Sequence, residues 1–297
     1  MLNCTYVLIT PARDEGKFIE GTIESVVRQT VRPVKWIIVS DGSTDSTDEI
    51  VKHYAAKHRW IEFVRLPERR ERHFAGKVHA FNAGYEEVKD VNYDIIGNLD
   101  ADITFDEDYM CFLLCKFIQD PWLGVAGTPF REGSEQYDYR FSSVEHVSGA
   151  CQLFRRECFV DIGGYVPLKT GGIDLVAVLS ARMKGWQTRT FTEKTCEHHK
   201  RTQSGRHKPL IDIFKSGYQN YRMGSHPIWH IFRSGYQMSK RPFIRGGVVL
   251  LAGYFWAMLT RAKRTMSNDL VAFRRREQMR RLKDISRRVL LPRSRPV

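Results

Sequence analysis

Asp100-Ala101-Asp102 closes the stretch Y-D-I-I-G-N-L-D-A-D-I-T-F, in which an apolar run ends in two aspartates separated by one small residue. Asp94 to Leu99 reads as a buried strand that stops at Asp100. Carboxylates at the carboxyl end of such a strand lie where open α/β sheets place their ligands, and Ala101 is too small to block access. Two hard oxygen donors there suit Mg²⁺ or Mn²⁺, which is held by one or two carboxylates together with the phosphates of a substrate. A plainer reading is open: Asp106 and Asp108 follow at once, so the pair could belong to an acidic turn capping a helix.

The elements that would position this pair can be read along the chain. Thr5 to Thr10 is a first buried strand, followed by the loop P-A-R-D-E-G and a helix from Lys17 to Gln29 with the stripe Ile19, Ile23, Val26, Val27. Val34 to Ser40 is a second strand ending in D-G-S-T-D, and Ser46 with Glu49 matches a capping box for a helix to Lys57. Ile61 to Leu66, a helix from Lys77 to Val88 and the aspartate strand complete four strand-helix alternations. That pattern predicts an α/β fold with a mostly parallel sheet, covered by helices on both faces and creviced at its carboxyl edge. No G-x-G-x-x-G follows the first strand and no G-x-x-x-x-G-K-[ST] occurs, so a phosphate here relies on metal and basic side chains.

Four segments in this order, V-L-I-T-P-A-R-D-E-G-K-F-I-E-G, I-I-V-S-D-G-S-T-D-S-T, G-K-V-H-A-F-N-A-G and L-D-A-D, resemble the family 2 glycosyltransferases of the GT-A fold. The resemblance implies a nucleotide-diphospho-sugar donor, with Pro11, Ala12, Arg13 and Glu15 lining the base and Asp41 accepting from a base N–H, a role its oxygens permit. Ser40 stands where many relatives have a second Asp. Lys77 resembles a donor-site lysine; a solvated residue at a helix start is the plainer alternative. Asp100 falls to donor binding and to the metal, and Asp102 to the metal, Mn²⁺ or Mg²⁺.

In the second half, G-A-C-Q-L-F-R-R resembles the family's acceptor-side strand and G-G-I-D-L the place of its catalytic base, with Ile173 where an acid is common. Asp174 is therefore the candidate base. A sugar hydroxyl is a poor nucleophile and needs a carboxylate to take its proton; the N-cap of the helix 174–184 is the competing role. His198 or His199, in C-E-H-H-K-R, resembles a position near metal and diphosphate, His198 being favoured. A zinc site of Cys196 with both histidines lacks a fourth ligand. Gln203 to His207 fits poorly to the Q-x-x-R-W motif of the processive synthases, which implies one sugar per encounter. The resemblance further implies inverting single displacement onto a hydroxyl. Transfer to a polyprenyl phosphate, or a degenerate domain that binds nucleotide sugars without turnover, are the rival readings.

The net charge of +13 is local: 1–239 balance 31 Lys and Arg against 31 Asp and Glu, whereas 240–297 carry 16 against three. The expected division is a GT-A domain over 1–225, with a nucleotide-sugar half at 1–105 and an acceptor half at 106–225, then a basic helical extension over 226–297. The run 246–259 is too short to span a bilayer. A basic helix from Asn268 to Leu291 suits an anionic membrane surface, which would bring a lipid-linked or glycan acceptor within reach; a packed helix with a solvated basic side is the alternative. No reader motif for nucleic acid is present. Six cysteines without a C-x-x-C pair, and no signal-like N-terminus, place the expected enzyme in the cytoplasm on the inner face of the membrane.

Overall fold

The computed structural model describes residues 4–68, 75–133, 135–136, 143–200, 209–239 and 241–290. The chain forms two compact units, Met1–Thr202 and Gln203–Val297.

In the first unit, β1 (Tyr6–Ala12), α1 (Ile19–Val27), β2 (Lys35–Ser40), α2 (Thr47–Lys57), β3 (Ile61–Arg65), α3 (Ala75–Glu86) and β4 (Ile95–Leu99) give the expected alternation. After β4 come β5 (Ile103–Thr104), α4 (Tyr109–Gln119), β6 (Leu123–Gly127), β7 (Phe130–Glu132), β8 (Glu135–Gln136) and β9 (Cys151–Arg155). The unit ends with α5 (Arg156–Asp161), α6 (Ile173–Met183), β10 (Gln187–Thr190) and β11 (Cys196–His198). The main sheet runs β10-β6-β9-β4-β1-β2-β3. Its central strands are largely apolar because both of their faces are buried.

Strand β9 alone is antiparallel to its neighbours β4 and β6. Running backwards, it delivers Gly149 and Ala150 to the carboxyl end of β4, where Asp100 N donates to Ala150 O at 2.8 Å. A second sheet, β5-β11-β7-β8, is built from strands of two or three residues. It sets His198 opposite Ile103, the residue after Asp102.

The loops after β1 and β2 are stitched together. Gly16 N donates to Asp45 Oδ2 at 2.9 Å, Glu15 N to Thr47 Oγ1 at 2.8 Å and Thr44 N to Asp14 Oδ1 at 2.9 Å. The capping box does not form. Ser46 makes no cap hydrogen bond, and Asp45 Oδ1 instead accepts from Thr47 N at 3.0 Å. Ser40 serves the D-G-S turn, its hydroxyl accepting from Ser43 N at 3.2 Å. Gly42 in that turn has φ +67°, and a Cβ there would lie 2.5 Å from Glu68 Cα. Both the left-handed backbone and the contact penalise a side chain, so Gly42→Ala is expected to lower the stability of this unit by about 2 kcal/mol, read from chemical denaturation midpoints.

The second unit holds α7 (Leu210–Arg222), α8 (Pro227–Met238), α9 (Phe243–Leu259) and α10 (Asn268–Leu290). Helix α7, placed with the first domain by the sequence reading, groups here with the later helices. The first half of α10 is a packed helix. Leu270, Val271, Arg274 and Gln278 are buried, and Arg274 Nη1 and Arg275 Nε donate to Met223 O and Gly224 O at the end of α7, at 2.5 and 3.1 Å. Among the described residues no helix is long and apolar enough to cross a membrane.

His230 is fully buried, stacks on Tyr254 at 4.2 Å between ring centroids, and leaves Nδ1 without a hydrogen-bond partner. Burial drives its pKa down to about 4, against the pull of a contact with Leu250 O. The unfolded chain takes up that proton near 6.5. Stability is therefore full above pH 6.5 and falls as the pH drops toward 4, by about 3 kcal/mol. Denaturation midpoints of His230→Phe are expected to lose less than those of the unaltered chain between pH 7 and pH 4.5.

Candidate active site

Strands β4, β1 and β2 are adjacent and parallel, so their carboxyl ends line one edge. Asp100 and Asp102 leave β4 there and Asp41 leaves β2, while Pro11 and Ala12, expected in the loop, are the last residues of β1, paired with Val39 and Ser40, with Arg13 to Glu15 beyond them. Pro11 costs no pairing with β4, since that ladder has ended at Ile9 and Asn98. Asp41 is nearly buried, its amide donates to Ala12 O at 2.8 Å, and Arg13 Nη1 stands 3.8 Å from its Oδ2. Ala12 is buried beneath them.

Lys77, in the first turn of α3, donates to Asp100 Oδ1 and lies 3.4 Å from Gly149 O. Asn98 Nδ2 donates to Gly149 O at 2.7 Å and to Asp100 Oδ1 at 3.3 Å, while Asn98 Oδ1 is buried without a partner. Burial raises the pKa of Asp100, Lys77 pulls it back, and the neighbouring charge of Asp102 adds to the rise. Lys77 is thus not a freely solvated lysine; it offsets the charge of one member of the pair.

Asp102 is buried, and its Oδ2 lies 3.1 Å from His198 Nε2. The other ring nitrogen, Nδ1, is 2.8 Å from Glu132 Oε1 on β7. Burial opposes a charge on this imidazole, but the hydrogen bonds and charges of Asp102, and then of Glu132, hold its pKa up to about 9. His199 turns elsewhere: its Nε2 meets Thr104 Oγ1 at 2.8 Å and its ring stacks on Phe18. Of the two histidines, His198 is the one that joins the aspartates. Glu15 belongs to the same neighbourhood. Burial raises its carboxyl, Lys200 lowers it at 2.5 Å, and the charges of Asp102 and Asp100 raise it further; its Oε2 is buried with no hydrogen-bond partner.

Asp174 does not cap α6. The N-cap is Gly172 at φ +86°, and Asp174 stands in the first turn. Its side chain packs on Gly149, where an added Cβ would come within 3.2 Å of Asp174 Cβ. One glycine thereby carries Lys77 and Asn98 on its carbonyl and the candidate base against its Cα. The charges of Asp174 and Asp100 also both raise the pKa of buried Tyr165, after burial itself. Asp106 and Asp108, which suggested an acidic turn, pair with Lys194 instead and leave Asp100 and Asp102 apart.

Among the described residues no three His, Cys, Asp or Glu side chains form a ready cage for a metal. The donors present fit a hard cation that draws most of its ligands from a diphosphate: one carboxylate and one imidazole in contact, with the unpartnered oxygen of Glu15 in the same acidic neighbourhood. Asn98, Glu132 and Gly149 are the site residues that sequence reasoning missed. Gly149 and Asn98 sit inside the quoted motifs, whereas Glu132 carries no sequence signal. Gln203 to His207 lie outside the described residues.

The chain resembles several known proteins. Poly-beta-1,6-N-acetyl-D-glucosamine synthase of Staphylococcus aureus is 29% identical over 170 residues, a match that takes in 50% of this chain and 39% of the relative. The synthase of that name from Staphylococcus epidermidis is 26% identical over 170 residues, with the same coverage. The chain thus spans about two fifths of the length of these curated relatives. Among solved structures, the mannosyltransferase PcManGT of Pyrobaculum calidifontis, in complex with GDP-Man and Mn²⁺, superposes with a TM-score of 0.55 at 18% identity, covering 97% of this chain and 81% of the other. S. aureus TarS 1–349 in complex with UDP-GlcNAc gives 0.54 at 14% identity, covering 86% and 73%. These likenesses are of fold. The family model for Glycosyl transferase family 2 matches residues 7–167, more than half of the chain and the part that carries Asp41, Asp100 and Asp102, so this chain belongs to glycosyl transferase family 2 and is a glycosyltransferase.

Proposed function

We propose that the protein is a metal-dependent inverting glycosyltransferase that moves a sugar from a nucleotide-diphosphate donor to a hydroxyl of a lipid-linked or glycan acceptor, in cell-surface polysaccharide or glycolipid synthesis. The observation that carries it is the meeting at Gly149 of Lys77, Asn98 and Asp174, residues that the sheet gathers from three distant parts of the chain. Arg13 and Asp41 would hold the base, and Asp100, its charge offset by Lys77, would serve the donor and the metal. Asp102 and His198 would hold Mn²⁺ or Mg²⁺, with Glu132 fixing the imidazole from its far side as outer partners of metal-bound histidines do. When bound, the cation offsets the charge that builds on the leaving diphosphate.

Asp174 takes the proton of the acceptor hydroxyl as its oxygen attacks the anomeric carbon. The bond from that carbon to the diphosphate oxygen breaks, and the nucleoside diphosphate leaves with the electron pair. The neighbour complexes make UDP-GlcNAc and GDP-Man the first donors to try. The basic region 240–297 brings the enzyme to an anionic membrane where a lipid-linked acceptor resides.

The test is a coupled assay of nucleoside diphosphate release with UDP-, GDP- and dTDP-sugars in Mn²⁺, with and without oligosaccharide or lipid-linked acceptors. Release from one donor, accelerated by an acceptor, is the expected result. Tight donor binding without turnover across the panel would mark a nucleotide-sugar-binding scaffold instead.

A further inference from the structure

The outward stripe of α9 is apolar along its whole length. Ile244, Val248, Trp256 and Leu259 recur at helical spacing and are 68%, 51%, 56% and 75% exposed. The opposite stripe, which includes Gly247, Leu250, Gly253 and Tyr254, is buried. Close backbone approach fixes that orientation. A Cβ on Gly217 of α7 would fall 2.1 Å from Leu250 O, one on Gly253 would fall 2.1 Å from Phe214 O of α7, and one on Gly247 would fall 2.5 Å from Ser234 O of α8. Helix α9 cannot roll to hide its apolar stripe without losing these contacts.

Along its own stretch of chain the charges have one sign. No Asp or Glu occurs between Asp212 and Asp269, a stretch with nine Lys or Arg. Exposed Arg241 and Arg245 stand at the start of α9, and exposed Arg261 and Lys263 just beyond its end. A second copy laid on this stripe would bring the cations at the two ends of α9 against those of its partner. An anionic bilayer offers both complements, acyl chains for the stripe and phosphates for its two ends. The arginines of α10, by contrast, begin with two that are already bonded to carbonyls of their own unit.

We infer that α9, and not α10, is the membrane-docking element: it lies along the headgroup layer with Ile244, Val248, Trp256 and Leu259 submerged and its terminal cations on lipid phosphates. This rests on the reading above that the protein works at an anionic membrane.

The experiment is co-sedimentation of the full chain with vesicles of phosphatidylcholine, alone or mixed with phosphatidylglycerol. The unaltered protein is expected to sediment with the anionic vesicles. The double variant Val248→Ser/Trp256→Ser should partition about tenfold or more weakly, since two exposed apolar side chains no longer gain from burial. Arg245→Gln/Arg261→Gln should lose about fivefold or more on anionic vesicles only. Arg276→Gln/Arg280→Gln in α10 should bind as the unaltered chain does. If Val248→Ser/Trp256→Ser sediments normally while the α10 variant is lost, the assignment to α9 is overturned and the membrane reading stands. If the unaltered protein ignores anionic vesicles, both fall. If it is a dimer that Val248→Ser/Trp256→Ser renders monomeric with unchanged vesicle binding, the stripe is a self-association surface and the inference is overturned.

Discussion

Asp174→Asn is expected to lower kcat by about 10²–10⁴-fold with the donor KM little changed, because positioned general bases contribute on that order. The substitution is nearly isosteric, so the contact with Gly149 persists and the amide cannot accept the proton. Stability is the control that separates chemistry from structure. Asp174 lies in the first turn of α6, where losing its negative charge costs about 0.3–1 kcal/mol through the helix dipole. A kcat loss of several orders of magnitude with a melting shift of a few degrees therefore reports proton transfer. Unimpaired turnover would point to an acceptor that needs no base, such as a polyprenyl phosphate.

The second large effect concerns Asp102. In Asp102→Asn, His198 keeps only Glu132 as a charged hydrogen-bond partner of its ring, and the site loses its most buried carboxylate beside that imidazole. Loss of a metal-ligating carboxylate is expected to weaken metal-supported donor binding about 100-fold or more, beyond the range seen when outer-shell partners are removed. Both kcat and kcat/KM should fall, and added Mn²⁺ should restore part of the loss. Glu132→Gln, which leaves both proposed ligands in place, should give a smaller loss of about 10–100-fold in Mn²⁺ affinity. Equal effects of the two variants would show that Asp102 only positions His198.

The part of this site legible in the sequence is the part made by long elements. β1, β2 and β4 are largely apolar and carry, at or just beyond their carboxyl ends, Pro11 to Glu15, Asp41 and Asp100 to Asp102, so period and length alone bring those residues to one edge. The acceptor half is less legible because its sheet is assembled from fragments. β5, β7 and β11 have two or three residues each, too few for any periodicity. The choice between His198 and His199 depends on strand register, which one residue reverses. Glu132 is invisible for the same reason, since only the pairing of β7 with β11 brings it to the imidazole. The helix starts failed differently. Ser46 and Asp174 have the right side chains for caps, but Ser46 stands at the N-cap without a cap hydrogen bond and Gly172 holds the N-cap of α6, because the loop before each helix sets which residue reaches the first turn and how.

In α9 the sequence run 246–259 is apolar and too short to span a bilayer, and its composition says no more. The structure adds direction: the glycines face α7 and α8, and the large side chains face out. Composition carries no such information, because Gly247 and Val248 are adjacent in the run yet one is buried and the other exposed on the helix.

The account stands or falls on a cation shared between the protein and a nucleoside diphosphate. Calorimetric titration of UDP and GDP into the full chain, with Mn²⁺ and then with EDTA, measures this directly. The predicted result is binding of one nucleotide that Mn²⁺ strengthens and that Asp102→Asn abolishes within the detectable range. Nucleotide affinity that is the same in EDTA and in Mn²⁺, and the same in Asp102→Asn, would contradict it.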